Sequence, residues 1–350
     1  MVDFASALGL PFRVLNCRAM MRRKLFVMMA LSGLLAVSCS PRDQGGEKGT
    51  SRVFLSLGTA PPGGAFFVVG GALSEVLQSH PGPITWQVTA ESTKGTQENI
   101  RRLASGELDL ALANAAITYF AVRGQGKWKS PQPVNAVMTL APNVAMFLTP
   151  ASSGIETLAD LAGKRVVIGP AGAGFEYFVG PILEAHGVGY DDLSVLHNTQ
   201  AAAVDMLADG SAAAAFLGGA IPTASITQAT STHDVRFIPF ADAAVAELAT
   251  QYPFFDRVTV PAGTYRGQEE PFFGLNVGSM HLITGAAQDE DLIYEVTRTL
   301  WEFRAEVVER HAAGRAIQPE VVVRDTGVEF HPGAKRYYQE IGIWPSQADN

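Results

Sequence analysis

One plan appears twice in this chain, and that repetition constrains its fold more than any other feature. GTQENIRRLASGELDLALANAAITYF begins at Gly95, and NTQAAAVDMLADGSAAAAFLGGAIPTASI begins at Asn198. Each opens on a polar, threonine-containing start and continues in a helical pattern to Leu-Ala-x-Gly. An apolar strand follows, then a small-residue turn that opens another helix. Leu103-Ala104-Ser105-Gly106 matches Leu207-Ala208-Asp209-Gly210, and Asn114-Ala115-Ala116 falls near Gly218-Gly219-Ala220. Upstream, a strand-like run at 53–57 with a glycine loop at 58–64 parallels the run at 165–168 with its loop at 169–174. Strands alternating with helices predict an α/β fold. Doubled, they predict two α/β lobes, each with its glycine and small-residue loops at the carboxyl ends of the strands. In open parallel sheets that edge binds ligands.

The chain has 350 residues, ample for two lobes, and 47% of them are apolar, enough for a sizeable core. A run near residue 145, APNVAMFLT, predicts the outward crossing between lobes; EPFFGLNVGSMHLIT predicts a strand returning to the first. The expected division is 52–144 plus 262–350 for lobe I and 145–261 for lobe II. Two crossings make a hinge, and a hinge permits a cleft to close. In the tail, Leu292, Ile293, Val296, Leu300, Phe303 and Val307 keep helical spacing, and His331-Pro332 reads as the start of a last helix. Net charge is −8. That excludes a nucleic-acid partner, which needs a basic surface.

Arg22-Arg23-Lys24 precedes an apolar run at 25–37 that ends at Ser38-Cys39. This pattern predicts a secretory signal over 1–39, with 1–19 as an over-extended start. The run is too short for a comfortable membrane span, which takes about 20 residues. Leu35-Ala36-Val37-Ser38-Cys39 resembles a lipobox, so Cys39 is the expected lipidation site and 40–51 a flexible tether. The expected location is periplasmic, the expected state a monomer. With Cys17 inside the signal, no disulfide and no thiolate metal site is expected.

Several enzyme signatures fail on inspection. Gly172-Ala173-Gly174 lacks the third glycine of the dinucleotide fingerprint, and the chain contains no GxxxxGK[ST], no G-x-S-x-G and no HExxH. Seven scattered histidines read as loop or surface residues. Glu91 and Glu176 lie near the loops but have no nucleophile or metal to work with. No catalytic residue, metal or cofactor is therefore assigned. What remains is backbone: glycine lets a ligand approach main-chain N–H groups, and helix N-termini present unpaired ones at a positive dipole end. Loops at 58–64, 92–96, 169–176 and 218–222 have this character. Each one alone reads equally well as a tight turn; together, at equivalent places in two lobes, they point to one site. In the first lobe the candidate ligand-binding residues are Gly58, Thr59, Gly63 and Phe66, with Ser92, Thr93 and Asn114. In the second they are Gly172, Ala173, Gly174 and Phe175, with Gly219 and Ala220. Phe66, Phe67, Phe175 and Tyr177 read either as pocket walls or as packing for the first helical turns.

LGTAPPGGAFFVVGGALSEVL, VTAESTKGTQENIRRLASGELDLALA and GIETLADLAGKRVVIGPAGAG, with VPAGTYRGQEE and HPGAKRYYQEIGI, resemble the TAXI family of solute receptors for TRAP transporters. The likeness runs from about residue 52 to 343. Its most specific parts are Thr-x-Gly-x-x-Glu-Asn at 93–99 and Pro-Ala-Gly-Thr-Tyr at 261–265. The resemblance implies a type II periplasmic binding protein fold. It also implies capture of a small solute, usually a carboxylate or amino acid, for delivery to the membrane subunits of a sodium-coupled TRAP permease. This chain departs from the family at Ala60-Pro61-Pro62, Phe66-Phe67 and Ala171-Gly172-Ala173-Gly174-Phe175, which remove hydroxyls and add apolar surface. The expected pocket is accordingly less polar, and no arginine lies in the four loops. An enzyme on the same scaffold, or a sensor docking on a membrane kinase, are the competing readings.

Overall fold

The computed structural model describes residues 52–62 and 65–345. Cys39, the expected signal and tether, and Gly63 lie outside them. The chain begins with β1 (Val53–Gly58), α1 (Ala65–Ser79), β2 (Trp86–Glu91), α2 (Thr96–Ala104), β3 (Leu110–Asn114), α3 (Ala115–Val122) and β4 (Val134–Thr139). It continues with β5 (Val144–Pro150), β6 (Arg165–Ile168), α4 (Glu176–Ala185), β7 (Ser194–Leu196), α5 (Gln200–Ala208), β8 (Ala214–Gly219) and α6 (Ala224–Thr232). Next come β9 (Val235–Ile238), α7 (Asp242–Gln251), β10 (Phe255–Val260), β11 (Phe272–Val277) and β12 (Met280–Gly285). Four helices close it: α8 (Glu290–Glu302), α9 (Arg304–Arg310), α10 (Pro319–Val322) and α11 (Pro332–Glu340).

These strands form two sheets, one per lobe. The first has the order β2-β1-β3-β12-β4, the second β10-β11-β5-β8-β6-β7, with β9 pairing β5. In the first, β1 runs parallel to both β2 and β3; in the second, β6 runs parallel to both β7 and β8. Each lobe thus orders its opening strands second, first, third, and the sequence echo becomes an architectural one. Each lobe then adds an antiparallel strand beside its third: β12 on β3, and β5 on β8. The Leu-Ala-x-Gly segments end α2 and α5, with Gly106 and Gly210 both at φ 75, the left-handed closure for which glycine is suited.

The chain passes between sheets at 140–143, after β4, and again at Gly278-Ser279. The second passage lies later in the chain than residue 262. The run 270–284 is two strands in different sheets, not one strand. Both halves are interior strands with almost continuous burial, so the apolar pattern carries no mark of the change. The turn depends on Gly278. It has φ 99, and a Cβ there would come 2.5 Å from Ala116 N and 2.7 Å from Asn114 Oδ1. The long tail helix divides at Phe303 into α8 and α9. Leu292, Ile293, Val296, Leu300 and Val307 are buried as their spacing predicts, while Phe303 turns out to stack on His80 with ring centroids 3.5 Å apart.

Three apolar cores result. One lies under α1, α8 and α11 on the outer face of the first sheet, and another packs α5 and α6 on the second. The third is shared. Ile100, Ala113 and Ile117 of the first lobe belong to the same buried cluster as Phe147, Phe178 and Phe216 of the second.

Candidate functional site

The loops at the carboxyl strand ends of the first lobe are laced to one another by their own polar groups. Thr59 Oγ1 donates to Glu91 O at 2.7 Å, and Thr93 Oγ1 donates to Thr59 O at 3.0 Å while accepting from Gly95 N. Asn99 Nδ2 bridges Thr59 O and Leu112 O at 2.7 and 2.8 Å. Gly58 sits where a Cβ would meet Leu108 Cδ1 and Asn99 Oδ1, so its small size serves this packing. Ser92 is exposed and its hydroxyl reaches Ala60 O at 3.3 Å. The hydroxyls of Thr59 and Thr93 therefore shape the loops and tie their backbones to one another. Phe66, half-buried, packs against the first lobe's core.

Asn114 is committed to a different task. Its Oδ1 caps α3 by accepting from Ala116 N and Ile117 N, and its Nδ2 donates to Val277 O and Gly278 O. Four bonds on a side chain 3% exposed fix the start of α3 to the second crossing. Nearby, Asn276 binds the other passage: its Oδ1 accepts from Asn143 N, and its Nδ2 donates to Ser279 Oγ.

From the second lobe, the loop before α4 comes up against the first. Gly174, at φ 96, is buried where a Cβ would lie 2.9 Å from Ile117 Cδ1 and 3.1 Å from Gln97 Cγ and Nε2. Phe175 half-buries against Phe178 and Phe216, with centroids 5.3 and 6.0 Å away, so it serves packing and faces the loop at once. Ala173 is buried and Gly172, φ 76, stands in open space. Ala220, following Gly219, packs against the first lobe's core cluster. The backbone around it is braced by Gln200: Nε2 donates to Gly218 O at 2.8 Å, and Oε1 accepts from Gly218 N and Ser225 Oγ. Loops from both lobes thus meet, with Gly174 and Ala220 as their second-lobe contacts.

Beside the loops, Tyr177 Oη accepts from Lys127 N at 3.0 Å, its ring lies against Gly126, and Lys127 Nζ pairs with Glu176 at 2.9 Å. Phe120 of α3 packs on Tyr177, Tyr252 and Phe254. Glu91 is tied to Arg102 Nη2 at 2.6 Å. Both carboxylates considered for acid–base work are therefore ion-paired. No group of His, Cys, Asp and Glu among the described residues is arranged to hold a metal.

The helix starts differ in a way the sequence pattern did not reveal. α3, α5, α8 and α11 are capped by the side chains of Asn114, Thr199, Asp289 and His331. α2 and α4 begin at Gly95 and Phe175 with no side-chain cap, as do α6, α7, α9 and α10 elsewhere. The starts of α2 and α4 flank the contact between Gln97 and Gly174; in α4 the N–H groups of Tyr177 and Phe178 already donate to Gly174 O and Phe175 O at 3.1 and 3.2 Å. Two residues outside the expected set, Gln97 and Gln200, also belong here. Their signal was in the sequence: a Thr-Gln pair opens both members of the echo, at 96–97 and 199–200.

Several solved structures are similar to this chain at low identity. PhnD1 from Prochlorococcus marinus, in complex with methylphosphonate, is 10% identical over 83% of this chain and 96% of its own, with a TM-score of 0.52. The binding protein component of an ABC phosphonate transporter from Pseudomonas aeruginosa is 11% identical over 75% and 78%, with a TM-score of 0.49. The periplasmic aliphatic sulphonate binding protein SsuA from Escherichia coli is 13% identical over 75% and 76%, with a TM-score of 0.45. The first of these supports the fold assignment, the two-lobed α/β architecture of periplasmic binding proteins. A family model described as NMT1-like matches residues 57–342, most of the chain, and the protein belongs to the NMT1-like family.

Proposed function

We propose that this protein is an extracytoplasmic, non-enzymatic receptor that closes two lobes on a small organic solute. It hands that solute to a membrane permease, of the sodium-coupled TRAP type implied by the TAXI resemblance. The observation that carries this reading is the meeting of loops from both lobes at Gly174 and Ala220, beside two helix starts that no side chain caps. The start of α2 supplies N–H donors, and both starts supply the positive end of a helix dipole, which together suit an acceptor-rich ligand. The crossings at 140–143 and 278–279 serve as the hinge.

The proposed ligand is a small organic acid, a carboxylate or an amino acid. The fold neighbour PhnD1 is solved with methylphosphonate, another compact oxyanion. Phe175 supplies an apolar wall, and the backbone of Gly172, Ala173, Gly174, Gly219 and Ala220 faces it from the second lobe. Gly58, Thr59, Ser92 and Thr93 shape the opposite wall. Cys39 serves as the lipid anchor in this scheme, placing the receptor at the periplasmic face of a membrane.

A thermal-shift screen of carboxylates, amino acids, phosphonates and sulphonates tests the reading. A true ligand at one hundred times its Kd stabilises the folded state by about 2.7 kcal/mol, a shift of several degrees that grows with concentration. A flat response across the screen counts against the receptor.

A further inference from the structure

The residue where the starts of α2 and α4 meet is Gln97, in the first turn of α2. It is 5% exposed, and its Nε2 has no hydrogen-bond partner among the described residues. A buried NH2 without an acceptor is costly, and folded proteins rarely keep one. Its orientation is fixed. Arg101 Nη2 donates to Gln97 Oε1 at 3.3 Å, and turning the carboxamide over would set its NH2 against the guanidinium. The NH2 is therefore held toward Gly174, at the start of the second lobe's α4.

Neighbouring charges do not satisfy it. Glu98 folds back to accept from Lys94 N at 3.2 Å, and Glu176 is engaged with Lys127. Thr96 Oγ1 accepts from Asn114 N, and Gly95 N is taken by Thr93 Oγ1. The local hydroxyls and carboxylates are spent elsewhere, while the Gln97 NH2 stands beside the first turn of α2, itself a source of unpaired N–H donors.

We propose that the Gln97 carboxamide donates to an oxyanion of the captured solute, making it the side chain by which this receptor reads its ligand. This deepens the receptor reading and rests on it. A solute held by the Gln97 amide and the start of α2, with no arginine in the loops, carries a single compact oxyanion. When it sits between α2 and α4 it touches both lobes, so the same bond reports closure.

The test uses the whole receptor, stripped of bound small molecules by denaturation and refolding, with Gln97→Met and Gln97→Glu beside wild type. Propionate, methylphosphonate, methanesulphonate and the uncharged propionamide are the probes, read by calorimetry and melting temperature. Without probe, Gln97→Met melts at the same temperature as wild type or higher, because an unpaired donor is gone. With the oxyanion that binds wild type, Gln97→Met weakens affinity by about tenfold or more, and Gln97→Glu by more still through charge repulsion. Propionamide binds all three proteins alike. The proposal falls if Gln97→Met melts several degrees lower without probe, which marks a structural bond, or if it binds the oxyanion as wild type does. If no probe binds wild type, the receptor reading fails for this ligand class. The probe-free melting temperature of Gln97→Met then still decides whether Gln97 is an unpaired donor.

Discussion

Asn114 shows what one side chain does when all its bonding capacity is used. Read from sequence, it was a polar residue at a strand end, a natural ligand contact. In the structure its four bonds join α3 to Val277 and Gly278. Asn114→Ala is expected to cost about 3 kcal/mol in urea denaturation, from a lost cap and two orphaned carbonyls. Asn114→Asp keeps the cap acceptor and loses less. His281 departs from its expected place. It was read as a loop or surface histidine, and it is completely buried in β12, a central strand covered on both faces. Thr118 donates its hydroxyl proton to Asn114 O, so the ring donates from Nε2 to Thr118 Oγ1 at 2.8 Å, leaving Nδ1 as an acceptor with no partner among the described residues. Burial lowers its pKa to about 3. The folded state thus resists a proton that the unfolded chain accepts below about pH 6.5. Stability from this group is complete above that pH and is lost as pH falls toward 3, by about 2 kcal/mol at pH 5. His186, His311 and His331 are also lowered by burial and act in the same direction. The check is therefore the difference in pH slope between wild type and His281→Gln, which should flatten. Neither role was legible from sequence, because burial and bond partners depend on strands distant in the chain.

At the scale of elements the sequence was far more readable. The two echoed stretches became α2-β3-α3 and α5-β8-α6, with matching left-handed glycines, because a helix closure and a buried strand each leave a local signature. His331-Pro332 started α11 as its pattern implied, the His331 ring accepting from Gly333 N. The division of 270–284 into β11 and β12 was not readable, since an interior strand looks the same in either sheet. Gly278 is the element-level test. Gly278→Ala must put a methyl group against Ala116 N at φ 99, and a loss of about 2–4 kcal/mol is expected by chemical denaturation. The cap of α5 gives a milder case. Thr199 Oγ1 accepts from Ala202 N at 3.2 Å, and Thr199→Ala should cost about 1 kcal/mol without disturbing ligand binding.

Across the whole molecule, two lobes were legible as repetition, whereas their shared interior was not. No local pattern says that Ile117 will meet the loop before α4, or that Phe120 will stack near Tyr177 with centroids 5.4 Å apart. Gly174 is where the second-lobe loop comes against Ile117 and Gln97 of the first lobe. Gly174→Ala introduces a Cβ against Ile117 and Gln97 in a left-handed backbone, and should hold the lobes apart. Small-angle scattering with saturating ligand is expected to show a larger radius of gyration than wild type, and calorimetry a weaker affinity. An unchanged radius would mean that the contact yields locally.

The common core of Ile117, Phe147, Phe178 and Phe216 also limits how this polypeptide can be cut. A gene ended after residue 143 would leave Ile117 and Phe120 facing water, and such a half should clump rather than persist as a free-standing module. Splitting the protein for a biosensor, or grafting one half onto a foreign partner, requires those exposed greasy positions to be redesigned first.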